Sequence, residues 1–201
     1  MPGIWLLSSY RKYIGNSRYK DVFAASTTAD LTSFRNHWGA ETSLDVALYR
    51  PVARYELVAK DVATFLNKLS TGGLKGESFT ARVKYSDYLP TGYNLWDDVP
   101  KNSLMYMEYK VAFERPADGT KDLQLGFDYV LTDAGETVPI PVELEILNEK
   151  NEVLARTAFR IPCERGKNTT VRGNFLTSDI NGGIGIDPDY DGDLEVDLGE
   201  L

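Results

Sequence analysis

The acidic stretch "DPDYDGDLEVD", Asp187 to Asp197, opens with the D-x-D-x-D-G spacing by which a loop wraps oxygen atoms around a calcium ion. Asp187, Asp189 and Asp191 are its candidate ligands. A helix-loop-helix calcium loop also needs a carboxylate at its twelfth position, and that position here is Leu198. Leu198 belongs instead to the alternation Leu194, Val196, Leu198, with Asp193, Glu195 and Asp197 on the other face. A "DPDYDG" turn running into a strand with a charged outer side is therefore the preferred reading. No cofactor and no strong metal site are expected; a weak calcium site on the three aspartates is the alternative.

Other reactive residue types are scarce. One histidine, His37, excludes a two-histidine metal set, and one cysteine, Cys163, excludes an internal disulfide. Joining these two as a catalytic pair would require a strand end to meet a distant loop, so Cys163 reads as a small core hydrophobe. "STGGLKGES" has glycines and a lysine without the spacing of a phosphate-binding loop. Thirty acidic residues guarantee some carboxylate pair at glycosidase distance, so that pairing carries no information. Asn168 in "NTT" fits the N-glycosylation pattern, which is common by chance. No enzyme is expected. Tyr88, Tyr93 and Trp96 in "SDYLPTGYNLWDDVP" read as aromatics of a Pro/Gly loop that either plug the end of a sandwich or stack on sugar rings. The second choice would make the chain a carbohydrate-binding module.

The elements that must position these residues are mostly strands. A chain of 201 residues, 42% of them hydrophobic, is long enough to bury a sizeable core. Its net charge of −8 gives no basic footprint for nucleic acid or anionic lipid. No apolar run approaches the roughly 20 residues of a membrane helix, and "MPGIWLLSSY" lacks the basic start and long apolar run of a signal peptide.

Period-two alternation recurs along the chain. Ala53, Tyr55, Leu57 and Ala59 face inward against Arg54, Glu56 and Lys60; Phe79, Ala81, Val83 and Tyr85 repeat the pattern. Met105 to Phe113 and Leu123 to Leu131 are each expected to present one apolar face, the latter through Leu123, Leu125, Phe127, Tyr129 and Leu131. Val138 to Ile146 forms another, with Pro139, Pro141, Glu143 and Glu145 on the opposite side, the two prolines marking an edge strand. "NEKNE" reads as a hairpin turn, and "TTVRGNFLT" and "GDLEVDL" as two further strands. Asp61 is placed to cap a short helix, "VATFLNKL", that Gly72 and Gly73 stop. "IWLLSSY", "KDVFAAS" and "SLDVALYR" look like strands, with a polar loop from Ser26 to Thr42 between the last two. The fold class is all-β, an antiparallel β-sandwich with one short helix.

"LYRPVARYELVAKD", "YLPTGYNLWDD", "NTTVRGNFLTSD" and "GIGIDPDYDGDLEVDL", in this order and spacing, resemble the fimbrillin-like surface proteins of Bacteroidales. The resemblance covers about residues 20 to 198 and is strongest from Arg50 onward. It implies transthyretin-like, Greek-key sandwiches, export as a lipoprotein to the cell surface or outer membrane, and service as a fimbrial subunit or adhesion component without catalysis. It carries over no catalytic residue. Arg50 to Arg54 would begin the second sandwich, so residues 1–50 are expected to be a partial N-terminal β-domain and 51–201 a complete one. The export signal is absent from this sequence. Expected partners are other fimbrial subunits or a second copy, joined by strand addition at a terminus, and host or surface glycans; the plainer expectation for "GDLEVDL" is pairing within its own sheet.

Overall fold

The structure is a computed structural model that describes residues 3–5, 13–74, 76–178 and 194–197. Among these, the strands are β1 (Gly3–Trp5), β2 (Val52–Ala59), β3 (Ser78–Tyr85), β4 (Leu89–Asn94), β5 (Val99–Leu104), β6 (Glu108–Glu114) and β7 (Leu123–Leu131). Then follow β8 (Thr137–Asn148), β9 (Val153–Glu164), β10 (Asn168–Gly173) and β11 (Leu194–Asp197). One α-helix, α1 (Val62–Ser70), joins β2 to β3.

Two four-stranded sheets, ordered β11-β10-β2-β7 and β6-β3-β8-β9, contribute to a common core, so the protein is an all-β sandwich. The alternation explains how it forms. Tyr55 and Leu57 of β2 and Leu125 of β7 meet Phe79 and Val83 of β3 and Leu144 and Ile146 of β8, all buried. α1 adds Val62, Phe65 and Leu66, and the Phe65 ring meets Phe79 edge-on at 5.1 Å. Pairing is antiparallel except between β2 and β10, which run parallel. "NEKNE" forms the expected hairpin turn, where the Asn148 side chain accepts from the backbone of Lys150 and Glu152 at 2.9 Å each.

Several expectations are corrected. "SDYLPTGYNLWDDVP" is not a loop: it contains β4, which with β5 and β1 makes a third sheet, ordered β1-β4-β5. Leu89, Thr91 and Tyr93 alternate inward, but Pro90 and Gly92 sit between them and hide the period. Met105 falls outside any strand, since β6 begins at Glu108. β8 is not an edge strand: it pairs with both β3 and β9. Its prolines are tolerated because strand pairing with β3 ends at Val142: Pro139 lies beyond it, and Pro141, at its end, contributes only a carbonyl, which accepts the Ser86 N–H at 3.1 Å. "KDVFAAS" and "SLDVALYR" meet at a single bridge, Ala24 with Tyr49. Phe23, Leu44, Val46 and Leu48 stay exposed, so the ladder has no buried face to extend on.

The Asp61 side chain does not cap α1. Its carboxylate instead accepts the backbone N–H groups of Leu176 and Thr177, at 3.0 and 2.8 Å, and the Thr177 hydroxyl, at 2.8 Å. The residue expected to start the helix thereby fixes the segment after β10. β7 also changes phase. Gly126, at φ 156°, takes part in a bulge opposite Leu57 and Val58, with Leu125 left out of the pairing. Beyond it, Phe127, Tyr129 and Leu131 turn to a second, smaller cluster with Val52 and Tyr93, while Val130 joins the main core.

Candidate functional site

The turn between β4 and β5, Leu95–Asp98, presents the Trp96 side chain 87% exposed. Its geometry is fixed from several sides. Asn94 accepts the Trp96 backbone N–H at 3.0 Å through its side-chain oxygen and donates from its amide to Asp97. Asp98, held at φ 57°, receives the Arg165 guanidinium at 2.9 and 3.1 Å, one contact to each carboxylate oxygen. The hydroxyls of Tyr49 and Tyr93 donate to the same carboxylate at 2.5 and 2.8 Å. Arg165 also stacks over the Tyr49 ring, 4.2 Å from its centroid. Burial pushes the Asp98 carboxyl up, but the bonds from Arg165, Tyr49 and Tyr93 outweigh it and bring it down to about 2. This carboxylate is permanently charged near neutrality and saturated with donors, which suits a rivet rather than an acid or base. It ties the approach to β2, the β4–β5 turn and the β9–β10 connection into one rigid mount for Trp96.

A second polar cluster lies inside the sandwich around Asp128 of β7, which is fully buried. Lys20 reaches its two oxygens at 2.8 and 3.1 Å, and the hydroxyls of Tyr13 and Tyr85 donate to Oδ2 at 2.6 and 2.7 Å. Tyr55 bonds the Tyr85 hydroxyl at 2.7 Å and the Tyr109 hydroxyl at 3.2 Å. The Lys20 ammonium sits 3.7 Å from the Tyr13 ring centroid. Burial first, and then Asp128, hold the Tyr13 phenol well above its ordinary value, so it remains a donor. Sequence reading passes over both clusters. The available signal is a charged residue inside the apolar run "LGFDYVL", which the alternation assigns to the outer face.

The three aromatics expected to stack on sugar do not converge. Tyr93 is 2% exposed and spent on Asp98, so it is withdrawn from any ligand-facing group. Tyr88 and Trp96 are exposed but stand at opposite ends of the six-residue β4, roughly 20 Å apart at a rise of about 3.3 Å per residue. Asp187, Asp189 and Asp191 lie outside the described residues. Among the described residues, no group of three or more His, Cys, Asp or Glu is arranged to hold a metal ion. Cys163 is buried, which pushes its thiol up to about 12, whereas His37 is exposed and its Nδ1 lies 3.0 Å from the Ser33 carbonyl. Among the described residues no helix is long and apolar enough to cross a membrane.

The model of a family of unknown function (DUF6562) matches residues 6–199. No curated protein matches the chain. Similar crystal structures are each described as a "putative cell adhesion protein". That from Bacteroides ovatus has 14% identity and TM-score 0.35, covering 64% of this chain and 40% of its own. Those from Parabacteroides distasonis and Bacteroides eggerthii have 12% and 11% identity and TM-scores of 0.38 and 0.37. They cover 74% and 76% of this chain and 52% and 56% of their own. The chain thus spans about half the length of the solved structures it matches.

Proposed function

The chain belongs to a family of unknown function, DUF6562, and we propose that it is a non-enzymatic protein of the cell surface, a fimbrial subunit or adhesion component that engages its partner through the Trp96 turn. The carrying observation is the mount itself: an exposed tryptophan held on a turn that Asn94, Asp98, Arg165, Tyr49 and Tyr93 hold in one shape. Binding hot spots favour such a group, because a large aromatic already fixed in place loses little freedom on association. The two ionisable clusters support the non-catalytic part, since their charged groups close on protein partners that join strands. The resemblance of "LYRPVARYELVAKD" and the C-terminal motifs to fimbrillin-like proteins supports export and surface assembly. Subunits of the same kind, or glycans at the surface, are the partners this reading expects.

Surface labelling tests the location and substitution tests the contact. Antibody raised against the folded protein should label intact producing cells, and external protease should remove the signal. Trp96→Ala should leave the denaturation midpoint within roughly 0.5 kcal/mol of the parent while lowering adherence of those cells several-fold. Labelling only after permeabilisation, or undiminished adherence, would overturn the proposal.

A further inference from the structure

The geometry points to Lys20 and Asp128 as the two halves of an intramolecular amide cross-link, formed when the Lys20 amine condenses with the Asp128 carboxyl and joins the N-terminal segment covalently to strand β7. Lys20 Nζ stands 2.8 and 3.1 Å from the two oxygens that flank the carbon it would attack. The two side chains are 11% and 0% exposed, so little bulk water reaches the pair. Neighbours hold both in register. Tyr129 donates its backbone N–H to Asp128 Oδ1 at 2.8 Å, Tyr13 and Tyr85 donate to Oδ2, and the Tyr13 ring lies against the ammonium.

The reaction balances without any further reagent. Lys20 enters as an ammonium and Asp128 as a carboxylate. Two protons pass from Nζ to Oδ1, the Nζ–Cγ bond forms, the Cγ–Oδ1 bond breaks, and Oδ1 departs as one water. The remaining proton stays on the new amide nitrogen. Burial lowers the Lys20 pKa, opposed by the attraction of Asp128, which brings the neutral amine within reach. As the carbon becomes tetrahedral, negative charge gathers on Oδ2, where the two tyrosine hydroxyls already point. Holding the reactants together replaces an encounter in water with a step of high effective concentration.

Other close lysine–carboxylate pairs among the described residues differ from this one: Lys84 meets Glu143 at 2.9 Å and Lys167 meets Glu164 at 2.6 Å, but those carboxylates are 22% and 36% exposed, open to water. Lys84 lies 2.8 Å from Glu145, but Glu145 also takes the guanidinium groups of Arg82 and Arg156. Burial pushes its carboxyl up, while Lys84, Arg82 and Arg156 together bring it down to about 2, so it resists taking the proton that must leave the ammonium before the amine can attack. Among the described residues, Asp128 has phenols, one backbone N–H and one amine around it, with no guanidinium within bonding distance.

Intact mass of the purified full chain, measured after denaturation, tests the cross-link directly. The expected result is a mass one water below that of the sequence, with a digest yielding one branched peptide that contains both Lys20 and Asp128. Lys20→Arg, which keeps the charge, should restore the full mass. In freshly refolded protein, Tyr85→Phe should slow the loss of water by roughly 10²-fold, the scale seen when one oxyanion donor is removed. The parent chain at full mass after prolonged incubation in the folded state overturns the cross-link, and so does a lost water that maps to any other residue. The decisive mass is that of the parent chain, so the test does not depend on whether either variant folds.

Discussion

Glu145 of β8 lies directly across from Arg82 of β3 and Arg156 of β9, so one carboxylate on the outer face of the sheet ties three strands together. Its side chain is fully buried beneath these partners, and its carboxyl is depressed to about 2. Asp98 is depressed to about 2 as well. Unfolded, such groups titrate near about 4.3 for Glu and about 3.9 for Asp. A depressed folded value means stability that is complete above the unfolded pKa and is lost as pH falls toward the folded one. Denaturant midpoints should therefore be flat from pH 6 to about 5 and fall steeply between about 4 and 2. Glu145→Gln should reduce that slope and cost about 1 to 3 kcal/mol at neutral pH, the range for leaving a charged bonding group without its partner. An unchanged slope would show that the arginines do not hold this carboxylate in solution. The sequence showed Glu145 as an outward residue on an alternating strand, which is right. Its burial was not legible, because that depends on two arginines placed opposite it only once register is set.

Strand positions were legible wherever the alternation ran unbroken, as in β2, β3 and β8. In β7 it was legible only up to Gly126. The bulge there turns Phe127, Tyr129 and Leu131 away from the face that Leu125 occupies, and nothing in an apolar-rich run announces such a slip. Two consequences can be measured by equilibrium unfolding. Leu125→Ala, emptying a fully buried site in the main core, should cost about 2 to 5 kcal/mol. Phe127→Ala should cost less, because its ring is half-exposed between Tyr129 and the Arg54 guanidinium. Equal costs would show that the slip does not persist in solution. Gly126→Ala should be expensive for a different reason: a methyl group would come within 3.2 Å of Val111 and 3.3 Å of Tyr109, on a backbone that side chains rarely adopt. A loss of roughly 1 to 3 kcal/mol is expected from backbone strain alone.

At the scale of the whole molecule, a division near Arg50 would let residues 51–201 fold by themselves, and the contacts around β7 argue for a different outcome. Asn16 donates its backbone N–H to the Phe127 carbonyl at 2.9 Å and accepts the Phe127 N–H at 3.2 Å through its side chain, which covers part of the β7 edge. Gly15 packs so closely on Tyr109 that an added methyl carbon would lie 2.2 Å from its ring. Lys20 supplies the cation to Asp128. A fragment beginning at residue 51 would leave that carboxylate buried without its cation and would open the Phe127 backbone to water. Losing one partner of a buried pair costs about 3 to 5 kcal/mol, a large part of the 5 to 15 kcal/mol that a typical domain has in total. Equilibrium denaturation of residues 51–201 beside the full chain carrying Lys20→Arg, which keeps the cation and forms no cross-link, should show stability lowered by that amount, or no cooperative transition at all. Asp128→Asn introduced into the fragment should recover part of the loss, because a neutral amide is far less costly to bury than an unpaired carboxylate. A fragment as stable as the full chain would instead establish Arg50 as a domain boundary and reduce the Lys20 segment to a surface attachment.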